Sequence, residues 1–135
     1  MSWGLTLEEA VRFHGHLGPW LVVGYKVGEL AKRLLNPKDY NELKCTVRIP
    51  RQVPFTCSID GVQASTSCTL GKMNLAVEDG EDFEYVFTKK STGETVRLKV
   101  KKEVVERVKS LVSSSVEEAA KYVMELEPWA IFELA

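Results

Sequence analysis

Residues 83–100 read FEYVFTKKSTGETVRLKV, and this stretch decides the fold class. Phe83, Tyr85 and Phe87 alternate with Glu84, Val86 and Thr88. After the turn residues Ser91-Thr92-Gly93, Val96, Leu98 and Val100 alternate with Arg97, Lys99 and Lys101. Successive side chains of a strand point to opposite faces, so the alternation predicts an antiparallel hairpin with one apolar and one polar face. Arg97, Lys99, Lys101 and Lys102 are diluted by Glu94, Glu103 and Glu106, so they read as a solvated face and not as a nucleic-acid patch.

Upstream of the hairpin, Cys45, Val47 and Ile49 alternate with Lys44, Thr46 and Arg48 and predict a further strand. Asn74 to Val77 starts another. Between them, Cys57 to Ser65 reads as a short helix and Thr66 to Lys72 as a turn-rich loop. Nearer the start, Thr6-Leu7-Glu8-Glu9 has the spacing of a capping box. The helix it opens stops at Gly15 and Gly18. Pro19 suits the first turn of a second helix, which runs to Leu35 and is apolar over most of its circumference. Gly24 and Gly28, one helical turn apart, would let another element approach closely. Downstream, Val104 to Val112 is helical, Ser113 to Ser115 interrupts it, and Ser115-Val116-Glu117-Glu118 opens a last helix that ends at Glu127-Pro128. The predicted fold is α+β: a mixed, mostly antiparallel four-stranded sheet with helices packed on one face, in a single domain over residues 1–135. The tail from Pro128 to Ala135 carries Trp129, Ile131, Phe132 and Leu134, which must be buried on the chain's own core or across a two-fold interface.

The charge balance excludes several classes of function. With 18 basic and 19 acidic side chains the formal net charge is −1, so no global field recruits nucleic acid or an acidic membrane. No apolar run approaches the roughly 18 residues of a membrane helix. No basic region followed by an apolar stretch suggests a signal peptide. Three cysteines, an odd number, argue against a secreted disulfide framework. They fit a cytoplasmic protein with thiols free for chemistry or metal.

Both histidines lie in Phe13-His14-Gly15-His16-Leu17-Gly18-Pro19, and two of the three cysteines lie in Cys57–Leu75, CSIDGVQASTSCTLGKMNL. Imidazole and thiolate are good ligands for zinc or another borderline metal, which makes His14, His16, Cys57 and Cys68 candidate metal ligands. Asp60, one turn after Cys57, can orient a histidine or serve as a general base. Cys57 is expected near a helix start with Thr56 as its cap, a position that favours thiolate. Cys57, His16 and Asp60 are therefore the candidate catalytic residues. Gln63, Thr66, Lys72 and Asn74 are candidate ligand-binding groups, with the Gly71-Lys72 pair suited to an anionic ligand group. Cys45 falls on the apolar phase of its strand and reads as core.

These two segments resemble the motifs of the FmdE family of formylmethanofuran dehydrogenase subunits. Phe13, His14, Gly15, His16 and Pro19 match the first motif. Cys57, Asp60, Gln63, Thr66, Cys68, Thr69, Gly71, Lys72, Asn74 and Leu75 match the second. The resemblance covers the family's core domain and not the C-terminal zinc finger that many members carry. Gly18 stands where the family's first motif has a cysteine, and Trp20 where it has a glycine; Trp20 is expected to fill part of the cleft. The resemblance implies an α+β core, a homodimer, and a metal-capable cleft, with zinc as the expected ion, that takes a small polar ligand. It also implies a link to formylmethanofuran and one-carbon metabolism of the methanogenesis type, and membership of a larger dehydrogenase complex. Two alternatives stand beside this reading: a non-catalytic partner-binding or assembly module with a vestigial site, and a thiol redox protein using Cys57 and Cys68.

Overall fold

A computed structural model describes residues 3–135. The hairpin forms where the alternation places it: β3 (Glu84–Lys89) pairs with β4 (Thr95–Val100), with Tyr85 opposite Leu98 and Phe87 opposite Val96. Strand β1 (Leu43–Ile49) lies antiparallel to β3 on one side and parallel to β2 (Leu75–Asp79) on the other. The parallel pair is joined by a helix, α3 (Cys57–Thr66), as a parallel crossover requires.

The sheet has five strands in the order β2-β1-β3-β4-β5, one more than the sequence pattern predicts. The extra strand, β5 (Phe132–Leu134), is the tail itself, and it lies antiparallel to β4 with Phe132 opposite Val100. Ile131 and Phe132 are fully buried, so the tail docks on its own sheet edge, whereas Trp129 and Leu134 stay exposed. Cys45, Val47, Ile49, Tyr85, Phe87, Leu98 and Val100 form the buried face of the sheet. The opposite face is polar. There Glu84 sits between Arg48 (3.1 Å) and Arg97 (3.5 Å), and Arg48 also reaches Glu78 at 2.8 Å.

The first helix, α1 (Leu7–His14), opens with the reciprocal capping box of Thr6 and Glu9. It ends at Gly15, whose φ of 114° is a left-handed backbone that a side chain would strain. Helix α2 (Pro19–Leu35) is the central strut. Its apolar circumference is covered within the chain, by α3 on one side and by the sheet and α5 (Val116–Glu125) on others. The α2–α3 contact is backbone on backbone. A Cβ on Gly24 would fall 1.9 Å from the Ser58 carbonyl oxygen, and one on Gly61 2.3 Å from the Leu21 carbonyl oxygen. One on Gly28 would fall 1.9 Å from Ser65 Oγ. Glycine at these positions fixes how close the two helices lie, and so brings their first turns to one end of the molecule.

Helix α4 (Lys102–Val112) and α5 flank the break at Ser113–Ser115, where Ser115 Oγ accepts the Glu118 N–H. Lys26 of α2 fastens the far end of α5. Its Nζ donates to the carbonyls of Val123 (3.0 Å), Met124 (2.7 Å) and Leu126 (2.7 Å). A lysine on the last carbonyls of a helix satisfies groups that have no intrahelical partner and matches the helix dipole. A four-residue helix, α6 (Pro128–Ile131), leads into β5. Among the described residues no helix is long and apolar enough to cross a membrane.

Candidate functional site

The glycine-mediated crossing sets the start of α3 beside the start of α2, and the end of α1 closes over both. A cleft of about 390 Å³, counting the space at its mouth, opens at this meeting point. His14, His16 and Cys57 line it, together with Gly18, Pro19, Trp20 and Leu21 of the α2 entry. Pro54, Val112 and Val116 complete the wall. The last three carry no signal of function in the sequence. Val112 and Val116 read as ordinary helix positions, and only the serine break between them brings both to the cleft. Trp20 lines the cleft but belongs to the buried core. Its ring is buried, stacked on Phe83 at 4.7 Å and edge-on to Phe55 at 5.3 Å.

His14 is fixed from behind. Its Nδ1–H donates to Asp60 Oδ2 at 2.6 Å, and Gln63 Nε2 in turn donates to Asp60 Oδ1 at 3.3 Å. With Nδ1 as donor, the neutral imidazole carries its lone pair on Nε2. That atom is buried without a hydrogen-bond partner among the described residues, and only 10% of the side chain is exposed. A buried polar atom left bare costs free energy, and a water, an ion or a ligand group is what would satisfy it. The exposed His16 ring leans on His14, with centroids 4.8 Å apart and planes tilted by 37°. Gly18 sits close against the same ring: a Cβ there would lie 3.3 Å from His16 Nε2 and 3.9 Å from Val116 Cγ1, so the imidazole would have to give by a few tenths of an ångström.

Cys57 departs from its expected electrostatics. Thr56 is helical in its own backbone and makes no side-chain cap. The N–H groups of Cys57, Ser58 and Ile59 are already bonded to the carbonyls of Pro54, Phe55 and Thr56. The free positive end of the helix that would favour a thiolate is therefore absent. Burial instead pushes the thiol above its ordinary value, and the Asp60 carboxylate adds to that shift.

The remaining candidates lie elsewhere. Cys68 is fully buried, with its thiol 3.5 Å from the Leu43 carbonyl oxygen, and does not line the cleft. Ser67 ends α3 in the left-handed region (φ 61°), and the chain reverses there, carrying Cys68 into the core. All three cysteines are free thiols. Thr66 is also buried: its hydroxyl donates to the Val62 carbonyl at 2.6 Å and accepts the Cys68 N–H at 3.1 Å. Asn74 latches the loop, accepting the Thr69 N–H at 2.8 Å and donating to the Leu43 carbonyl at 3.4 Å. Lys72 is exposed and donates to Thr69 Oγ1 at 3.1 Å. Gln63 also accepts the Leu70 N–H at 3.1 Å, so it couples this loop to Asp60. Thr66, Lys72 and Asn74 therefore organise the loop and do not reach the cleft.

The donors at the cleft have the chemistry of a borderline metal site. His14 presents a bare, oriented Nε2, with the carboxylate behind it that metal-ligating histidines commonly have. Their number is small, however. Among the described residues no group of three or more His, Cys, Asp or Glu side chains is placed to hold an ion.

Residues 13–133 match the family model described as FmdE, molybdenum formylmethanofuran dehydrogenase operon. Among curated proteins, no relative matches the chain. The fold is similar to the crystal structure of a protein from Syntrophus aciditrophicus that is itself like the FmdE subunit of tungsten formylmethanofuran dehydrogenase. That similarity has a TM-score of 0.69 and 27% identity, and it spans 98% of this chain and 75% of the other.

Proposed function

The chain belongs to the FmdE family, and from that premise we propose that it serves formylmethanofuran dehydrogenase-type systems as an accessory protein with a ligand-binding cleft at His14, His16 and Cys57. In this reading the cleft takes a divalent metal, zinc by its donor set, and a small ligand beside it. The observation that carries it is the buried, unpartnered Nε2 of His14, held in place by Asp60. Nε2 of His14 and Sγ of Cys57 would hold the ion, with the exposed His16 ring turning in as a third donor. Remaining positions would fall to water or ligand, the pattern of an open site. A zinc ion there would polarise a bound carbonyl or water. Whatever the ion does, Asp60 keeps the His14 tautomer and ring orientation, and the apolar wall limits water.

The test is metal analysis of untagged protein prepared without chelator. Stoichiometric zinc supports the reading. His14→Ala should abolish it while the melting transition stays cooperative, and Asp60→Asn should weaken zinc binding by about 10–100-fold, the usual effect of losing a carboxylate behind a ligating histidine. Protein that takes up no zinc, even when the ion is added, would overturn the metal half of the proposal. It would favour the second reading, a partner-binding or assembly module, which the small donor count also favours. A homodimer, and a place in a larger complex, are the assemblies that the family suggests. Light scattering at micromolar concentration tests the first. The apolar circumference of α2 offers no argument for a dimer, since α3, α5 and the sheet already cover it.

A further inference from the structure

Helix α2 starts without a cap. Its N-cap is Gly18, in the extended backbone (φ −142°, ψ 162°) that capping residues adopt, but with no side chain to offer an oxygen. Pro19, the first helical residue, has no N–H to satisfy. The next two residues do. Trp20 and Leu21 are buried, and among the described residues neither backbone N–H has a hydrogen-bond partner. The first N–H of the helix that finds one is that of Val22, on the Gly18 carbonyl at 3.3 Å. The free N–H groups of a helix point out of its start, and Gly18 to Leu21 line the cleft. A second, unrelated group in the same wall also lacks a partner: Nε2 of His14, on a side chain only 10% exposed. The two sets of groups lie within one small molecule of each other. A Cβ on Gly18 would fall 3.3 Å from His16 Nε2, and the His16 and His14 ring centroids are 4.8 Å apart. Lys72, the residue expected to meet an anionic group, is engaged with Thr69 in the exposed loop, which leaves that role to the start of α2.

We propose that the cleft binds a small 2-hydroxycarboxylate, of the size of glycolate, whose carboxylate caps α2. This rests on reading His14, His16 and Cys57 as a ligand cleft, and it needs no metal. One carboxylate oxygen accepts the Trp20 and Leu21 N–H groups at the positive end of the helix dipole, as a capping side chain would. The hydroxyl on the next carbon meets His14 Nε2. A hydroxyl donates to the neutral ring and accepts from the protonated one, so the assignment does not turn on the charge of His14. No lysine or arginine lines the cleft, so the helix start, and not an ion pair, holds the carboxylate. The Asp60 carboxylate is taken up behind the ring by His14 and Gln63. Pro54, Val112 and Val116 close the far wall and keep the ligand short.

Glycolate, acetate and glycolamide are the probes: acetate lacks the hydroxyl and glycolamide lacks the charge. Binding is read from amide proton shifts in NMR spectra of protein stripped of metal, after the chelator has been dialysed away, in a buffer free of carboxylate and phosphate. The expected result is a millimolar Kd for glycolate, with the largest shifts at the Trp20 and Leu21 amides, and binding of acetate and of glycolamide each at least about three-fold weaker. Two variants separate capping from bulk. Gly18→Ser puts a hydroxyl within reach of the same N–H groups, and should bind glycolate at least about five-fold more weakly than Gly18→Ala, which adds nearly the same bulk without the oxygen. Glycolamide binding as well as glycolate would overturn the proposal. So would shifts that spare Trp20 and Leu21, or equal binding by the two variants. The three probes on the unaltered chain decide the matter even where a variant fails to fold. Because metal is absent throughout, a failed zinc measurement leaves this outcome untouched. Zinc uptake combined with no glycolate binding would sink this inference alone.

Discussion

The seam between α2 and α3 and the cleft at its open end are built from neighbouring residues under opposite rules. In the seam, glycine is required because backbone occupies the place of a side chain: the Ser58 carbonyl lies 1.9 Å from where a Gly24 Cβ would be. In the cleft, Gly18 is surrounded by movable or open neighbours, and its nearest contact would be the exposed His16 ring at 3.3 Å. Polar groups follow the same division. In the seam, Ser65 Oγ donates to the Gly61 carbonyl at 2.9 Å and Ser58 Oγ accepts from Tyr85 at 2.8 Å. In the cleft, His14 Nε2 has no partner. A region whose serine hydroxyls are paired stores stability. A region with one bare acceptor and spare volume gives up some stability and keeps a capacity to bind.

The strongest way to break this comparison is Gly24→Ala. If the seam is as rigid as its spacing implies, the methyl group forces α2 and α3 apart and costs more than about 3 kcal/mol, near the upper end for overpacking. At this chain length that means a melting temperature lower by about 10 °C or more. A shift of only a few degrees would mean the helices can slide, and the seam would then not position the cleft.

A medium effect concerns pH. Burial holds the Cys45 and Tyr85 protons well above their ordinary values, and Cys68 above its own. Because the folded pKa values exceed the unfolded ones, the folded chain keeps these protons where the unfolded chain releases them. The stability they contribute is full below the ordinary thiol value of 9.0 and falls as pH rises beyond it. Melting temperature should therefore decline between about pH 8.5 and 10.5, and Cys45→Ala should flatten part of that slope. On the cleft side, Cys57 should react slowly with iodoacetamide at neutral pH and faster as pH rises, since its thiol is also pushed up. Cys45 should stay unreactive until the chain unfolds. Fast labelling of Cys57 at neutral pH would show a thiolate that the apo geometry does not support.

The smallest expected effect sharpens the contrast from the other side. Gly18→Ala should cost no more than about 1 kcal/mol, the difference between glycine and alanine at a helix N-cap, because the backbone is extended and the exposed imidazole can shift by a few tenths of an ångström. A loss comparable to that of Gly24→Ala, read by the same thermal melt, would erase the distinction between the two regions.

Most of the fold was legible because its signals are local. The hairpin, the strand at Lys44–Ile49, both capping positions at Thr6 and Ser115, and the Gly24–Gly28 spacing follow from alternation, caps and helical turns within short windows. The fifth strand was not, because three residues carry no period and take their structure from the open edge of β4. At the site, the sequence placed His14, His16 and Cys57 in one neighbourhood and gave Asp60 the right helix face. It misjudged direction. Whether Cys68 points to the cleft or the core depends on the left-handed turn at Ser67, and a serine gives no warning of that backbone. The fate of Cys57 depended on which carbonyls take up the first N–H groups of α3, and those belong to the Pro54–Thr56 turn. Val112 and Val116 reach the cleft through packing of α4 and α5, which no local pattern records.

The order of the sheet has a colloidal consequence. Its two outer strands, β2 and β5, are five and three residues long, and they carry Glu78 and Asp79 on one and Glu133 on the other. Fibre growth by strand addition needs a long, uncharged rim onto which the next copy can zip. Here each rim offers a few hydrogen bonds beside carboxylates, so stacking of copies rim to rim gains little and accumulates like charge. Concentrated solutions should therefore resist gelation near neutral pH. They should lose that resistance first under acid, where the rim carboxylates take up protons.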